Sequence, residues 1–187
     1  EYIRFLELHP QHERADEAHY YLGMSYFKGA DDADRDQTLT RKAMEEFELL
    51  NKQMPDSAFA QDARVRMGLA RKKLAEKEVY VGRFYFDRGN YGAAVGRLTV
   101  ALQEYGGSGL DDQALYFLGE SLWRLEQKDA ARAVFERLIS EESQSEWAPP
   151  AASRLETALV RTGPPKPKGP GMYERMKQGL ATTWDEI

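Results

Sequence analysis

Cysteine is missing from all 187 residues, which excludes disulfides and thiolate metal sites within the chain without selecting a compartment. No apolar run approaches the roughly 20 residues that a membrane-spanning helix needs, and no basic-then-apolar leader is present. A surplus of positive charge is lacking too. With 26 Lys and Arg against 31 Asp and Glu, the net charge of -5 argues against a general nucleic-acid binder, which must neutralise phosphates. Catalytic signatures are equally scarce. The chain has no HExxH, no phosphate loop ending in GKS or GKT, no nucleophile elbow and no Ser-His-Asp order, so no enzyme activity and no cofactor are expected.

Two sparse constellations could hold an ion. His9, His12 and His19 are the three histidines, at a helix end and on the next helix, and their spacing reads as solvated surface imidazoles. Asp32, Asp34 and Asp36 alternate as in a calcium loop, but Gln37 takes the glycine position and Ala43 that of the bidentate glutamate. An acidic loop that caps a helix is the better reading.

What the chain has in quantity is segregated apolar residues: 42% hydrophobic and 30% charged, with a mean hydropathy of -0.67. Amphipathic helices build a core from such a composition. Val81, Gly82, Tyr85, Ala94 and Leu98 recur as Leu118, Gly119, Leu122, Ala131 and Phe135, each shifted by 37 residues. Leu155, Glu156 and Leu159 continue the shift, and Leu22, Gly23 and Tyr26 open an earlier copy. That copy ends in Ala43, Phe47 and Pro55, after an inserted loop at Asp31 to Gln37. The pattern resembles tetratricopeptide repeats, helix-turn-helix units of about 34 residues with small residues where the paired helices cross. The expected fold class is therefore all-α, a helical solenoid of stacked antiparallel pairs.

The expected organisation is as follows. Residues 1–10 end a truncated repeat; 15–55 form a repeat with the acidic insert, 57–105 one with a long first helix, and 111–143 a third; 147–162 are a capping helix. A Pro-rich linker (163–171) and an amphipathic C-terminal segment (172–187) follow. The chain starts at Glu1 in mid-pattern, which reads as a piece of a longer precursor. Between Asp56 and Arg88, Ala63, Met67, Ala70, Leu74, Val81 and Tyr85 form one stripe; this predicts a single helix, the alternative being a break near Lys73. Asp36, Asp56 or Ser57, and Asp111 are candidate caps. Arg64, Arg66, Arg71, Lys72 and Lys73 read as a solvated basic face.

The stretch from Asp31 to Leu138 carries a more specific likeness. Asp34-Arg35-Asp36, Pro55-Asp56-Ser57, Lys73-Leu74-Ala75-Glu76-Lys77-Glu78, Phe84-Tyr85, Arg88-Gly89-Asn90-Tyr91 and Ala93-Ala94-Val95 follow in that order. In this the chain resembles the BamD family, lipoproteins of the outer-membrane β-barrel assembly machine, over roughly the last three repeats. The resemblance implies a location on the periplasmic face of the outer membrane, with membrane contact only through an N-terminal lipid anchor. It also implies binding to BamA and other assembly-machine subunits, recruitment of unfolded outer-membrane proteins, no nucleic acid and no cofactor. Two alternatives stay open: another periplasmic repeat adaptor, such as a cell-envelope division coordinator, or the repeat portion of a larger enzyme.

Three sets of residues are candidates for contact. Offsets of -2, +2 and +5 from Leu22, Val81 and Leu118 select a peptide groove of Tyr20, Met24, Phe27, Val79, Arg83, Phe86, Tyr116, Glu120 and Trp123, although aromatic stripes also serve as core. Arg88, Asn90, Tyr91 and Arg97 are the candidates for BamA, with Arg97 suited to a carboxylate or simply solvated. Tyr173, Met176, Leu180, Trp184 and Ile187 form a narrow helical seam that would dock on a partner, or on the chain's own repeats.

Overall fold

The computed structural model of the chain describes residues 1–30 and 37–162. The acidic stretch with its Asp36 cap, the Pro-rich linker and the C-terminal seam lie outside them. The described residues form eight helices and no strand: α1 (Tyr2–Leu8), α2 (Ala15–Gly29), α3 (Thr38–Gln53), α4 (Ala60–Asp87), α5 (Tyr91–Glu104), α6 (Asp111–Arg124), α7 (Lys128–Glu141) and α8 (Ala148–Thr162). The fold is all-α, built of antiparallel helix pairs in the manner of a tetratricopeptide solenoid. The stripe from Ala63 to Tyr85 is one helix of 28 residues, without a break at Lys73.

The chain forms two compact units, residues 1–77 and residue 78 onward. In the first, Ala43, Phe47 and Leu50 of α3 meet Ala60 and Ala63 of α4, with Tyr20, Met24 and Phe27 of α2 packed around them. The second gathers Val79, Ala94, Leu98, Leu118 and Phe135 into one core, flanked by Phe86, Tyr116, Trp123 and Trp147. Glycine at the helix crossings is a steric requirement. A Cβ on Gly23 would stand 2.7 Å from Phe47, one on Gly82 2.7 Å from Leu98, and one on Gly119 2.5 Å from Phe135. Phe47, Leu98 and Phe135 are fully buried, each worth about 1.5–3 kcal/mol in apolar burial. The 37-residue periodicity thus has its physical origin in one small-against-large contact per repeat.

The turns divide into two kinds. Ser57 Oγ donates to Asp16 Oδ2 at 2.6 Å and accepts from the Phe59 N–H at 3.1 Å. Ser145 repeats the arrangement, donating to Asp112 at 2.7 Å and accepting from the Trp147 N–H at 3.0 Å. Each serine therefore ties the start of one helix to the first turn of an earlier one. In the middle repeat the position equivalent to Asp16 and Asp112 is Ala75, inside α4, so no carboxylate awaits Ser108 there. Asp111 closes that turn instead, accepting from the Gly107 N–H at 3.0 and 3.1 Å. This corrects its expected role: Leu110 is the N-cap of α6, and Asp111 holds the glycine loop. Ser57 likewise braces the turn three residues before α4 starts.

The other turns, after α4 and α6, share a backbone design. The Asn90 N–H reaches Tyr85 O at 2.9 Å and the Gln127 N–H reaches Leu122 O at 3.0 Å, bonds that wrap a helix end through a left-handed residue. That residue is Gly89 (φ 75°) after α4 and Glu126 (φ 59°) after α6. Asn90 then caps α5, accepting from the Ala93 N–H at 3.2 Å.

Candidate protein-binding surface

In the first unit the expected groove residues are engaged by their own neighbours. The Tyr20 ring stacks on Phe59 at 4.9 Å, and its hydroxyl donates to Asp62 Oδ2 at 2.5 Å. Arg66 Nε donates to the same oxygen at 3.1 Å. Together these bonds hold the Asp62 carboxyl below the usual carboxylate range, and the bond to Asp62, with burial, pushes the Tyr20 hydroxyl up. Met24 and Phe27 are half-buried against the core, with the Lys73 ammonium 5.9 Å from the Phe27 ring centre.

The second unit changes the groove more. Val79 belongs to the core and is not available to a ligand. Glu120 is 3% exposed, and Arg154 of α8 grips both its oxygens, Nε to Oε1 at 2.6 Å and a terminal nitrogen to Oε2 at 2.7 Å. The expectation that Val79 and Glu120 line an open groove is therefore corrected. The bidentate bond also raises the Arg154 pKa above its ordinary value. Tyr116 lies 4.8 Å from Trp147, where burial pushes its hydroxyl up. Phe86 is edge-on to Phe117 at 5.2 Å and to Tyr91 at 5.6 Å. Arg83 is exposed above Phe117 at 5.3 Å, with Asp87 at 3.9 Å, and Trp123 is half-buried under Lys128 and Arg154. Trp147 and Arg154 escaped the offsets counted from Leu22, Val81 and Leu118 because Trp147 immediately precedes α8 and Arg154 lies within it.

The turn after α4 carries the remaining candidates. Arg88 lies flat on Phe84 at 3.5 Å, Asn90 is the cap of α5, and Tyr91 is half-buried against Phe86. Arg97 pairs with the nearly buried Glu78, at 3.2 and 3.5 Å to its two oxygens. Its carboxylate partner is thus already within the chain. Arg124, not singled out by the sequence, donates to the Tyr91 hydroxyl at 3.4 Å.

The histidines divide. His9 and His12 are exposed beside Phe5, whereas His19 is half-buried with Nδ1 2.7 Å from Glu46, which corrects its reading as solvated. Among the described residues no three His, Cys, Asp or Glu side chains come together as a metal site. A cleft of about 520 Å³ opens between the turns at Pro10 to Asp16 and Gln53 to Ser57.

Helix pairs whose turns expose aromatic and arginine side chains provide surface for another macromolecule. Residues 1–156 match the family model YfiO, described as an outer membrane lipoprotein. The chain belongs to this family. Several relatives carry the name outer membrane protein assembly factor BamD. The one from Rickettsia prowazekii is 30% identical over 143 residues, covering 76% of this chain and 57% of the relative. That from Caulobacter vibrioides is 30% identical over 118 residues (63% and 39%), and that from Neisseria meningitidis serogroup A 33% over 125 residues (62% and 47%). The chain thus spans about two fifths to three fifths of the length of these relatives. YfiO membership associates it with the outer membrane, and no described helix is long and apolar enough to cross one.

Proposed function

We propose that this YfiO-family chain is a non-catalytic adaptor in the assembly of outer-membrane β-barrel proteins. Its partners are the periplasmic domains of BamA, other subunits of the machine, and unfolded outer-membrane protein segments. The observation that carries the reading is the family match over residues 1–156, joined by relatives whose name is assembly factor. Paired helices suit the role, because within each unit they hold side chains in fixed register.

The contact assigned to BamA lies on Arg88, Asn90, Tyr91 and Arg97. Since Arg97 is half exposed and already bound to Glu78, an incoming carboxylate would share it. The peptide surface retains Tyr20, Met24 and Phe27 in the first unit and Arg83, Phe86, Tyr116 and Trp123 in the second. Tyr173, Met176, Leu180, Trp184 and Ile187, by their spacing in the sequence, are assigned to docking on a partner. The test is co-purification from detergent-solubilised outer membrane with a tagged chain. Recovery of BamA is the expected outcome, and a preparation that brings down other envelope proteins but no BamA would sink the reading.

A further inference from the structure

Cations in the second unit divide by what neutralises them. Arg97 has Glu78, Arg154 has Glu120, Lys128 has Glu126 at 2.6 Å, and Arg83 has Asp87 at 3.9 Å. Arg88 and Arg124, like the half-buried Arg132, have no carboxylate within ion-pair distance among the described residues, and of these three only Arg88 and Arg124 are exposed. Each instead lies over an aromatic face, Arg88 on Phe84 at 3.5 Å and Arg124 on Tyr91 at 5.8 Å. Such stacking restrains a guanidinium while leaving its in-plane N–H edge free, the edge that matches a carboxylate. Tyr91 completes the arrangement. Its oxygen accepts from Arg124 at 3.4 Å, so its own proton is left to donate outward. Arg88 sits three residues before Tyr91 in the same turn, and Asn90 between them is occupied as the α5 cap.

We infer that Arg124 and Tyr91, with Arg88 as a second arm, form a receptor for carboxylate side chains on an acidic segment of a protein partner. The inference deepens the adaptor reading and rests on it for the kind of partner. It adds to Arg97, whose guanidinium is already shared with Glu78, an uncompensated arginine on the neighbouring α6. Charge complementarity is the argument. Two restrained and uncompensated guanidinium groups stand on a chain whose net charge is -5, where carboxylates outnumber cations and could have paired them. A charge-assisted bond to a held guanidinium is among the stronger polar contacts available at a wet surface.

The experiment uses the whole chain and two probes measured by fluorescence anisotropy at low and moderate salt. One is a labelled twelve-residue peptide rich in Asp and Glu, and the other is the same peptide with Gln and Asn in their place. Phosphatidylglycerol vesicles are titrated in parallel. The expected result is binding of the acidic peptide only, weakened about tenfold by Arg124→Gln and by less in Arg88→Gln and Tyr91→Phe. Arg64→Gln, an exposed arginine of the first unit, removes the same charge and should change little. Circular dichroism melts establish that each variant is folded. Failure of the wild type to bind the acidic peptide, equal affinity in Arg124→Gln and Arg64→Gln, or preference for the vesicles would each overturn the inference. Capture of the periplasmic part of BamA is scored on the same proteins. Undiminished capture by Arg124→Gln overturns the receptor and leaves the adaptor reading standing, whereas acidic-peptide binding without any capture does the reverse.

Discussion

Gly119 lies so close to Phe135 that the smallest possible side chain on it would reach to 2.5 Å of the ring. Phe135 is wholly buried and cannot swing away without opening the core of the second unit. Gly119→Ala should therefore destabilise the chain by about 1–3 kcal/mol, although alanine is the better helix former. Gly68, with nothing within 4 Å of its absent Cβ, is the control: Gly68→Ala should stabilise by about 1 kcal/mol. Denaturant titration of both variants checks the pair, and the same sign in both would refute the account.

Glu126 occupies the place held by Gly89 one repeat earlier, with φ 59° against 75°. A side chain in that region costs roughly 1–2 kcal/mol, and the exposed pair with Lys128 returns little. Glu126→Gly should raise the stability by about 1 kcal/mol, visible as a higher Tm. Gly89→Ala should lower it by a comparable amount.

Arg154 and Glu120 form an enclosed ion pair, with side chains 34% and 4% exposed. Removing one partner strands a charge. Arg154→Met should lose about 2–3 kcal/mol, somewhat less than a fully buried pair because the arginine retains some water. The double variant Glu120→Met with Arg154→Met should recover most of the loss. A double-mutant cycle reads the coupling directly.

The contact of Tyr20 with Asp62 gives stability a pH dependence at both ends. The Asp62 carboxyl is depressed in the folded chain, so its contribution is complete above the unfolded carboxylate range and is lost as pH falls through the folded value. The Tyr20 hydroxyl is raised, so its contribution is complete below the unfolded tyrosine value and is lost as pH rises through the folded one. Asp62 is 44% exposed, so solvent screening keeps the effect below about 1 kcal/mol. Melting curves of the wild type and of Asp62→Asn should differ near neutrality and converge in acid; a constant gap would exclude the contact as the cause.

Repeat length, all-α class and the unbroken α4 were legible in the sequence because each rests on periodicity, which survives without knowledge of packing. Gly23, Gly82 and Gly119 could be named as crossing points from spacing alone. The candidate surface was less legible. Offsets along one helix cannot tell which side chain the next helix covers, and nothing in the spacing around Glu120 signals that Arg154 of α8 holds it. Arg97 was chosen for its charge, but nothing near it in sequence signals that Glu78, one turn before Val81, comes to neutralise it. Arg124 was passed over for the converse reason, since a free arginine is defined by an absence of neighbours that only coordinates reveal. Asp111 failed as a cap because the glycine loop before it competes for the same carboxylate.

The serine braces have a consequence for how such a chain can change length. From the buried residues Phe47, Leu98 and Phe135 to Ser57, Ser108 and Ser145 the count is 10 in every copy, whereas from Gly23, Gly82 and Gly119 to those same buried residues it is 24, 16 and 16. Within a helix pair the surplus thus falls where α2 gives way to α3, whereas between pairs it lies in the long α4, since Ser57 to Gly82 spans 25 residues and Ser108 to Gly119 spans 11. Growth between α2 and α3 leaves every core register untouched, so that edge can accept insertions of any size. At the serine edge one deleted residue would turn the following helix by about 100°, bringing a charged face into the core. Descent with altered loops is open to this protein at one margin of a pair, while at the other length is added as whole helical turns, as in α4.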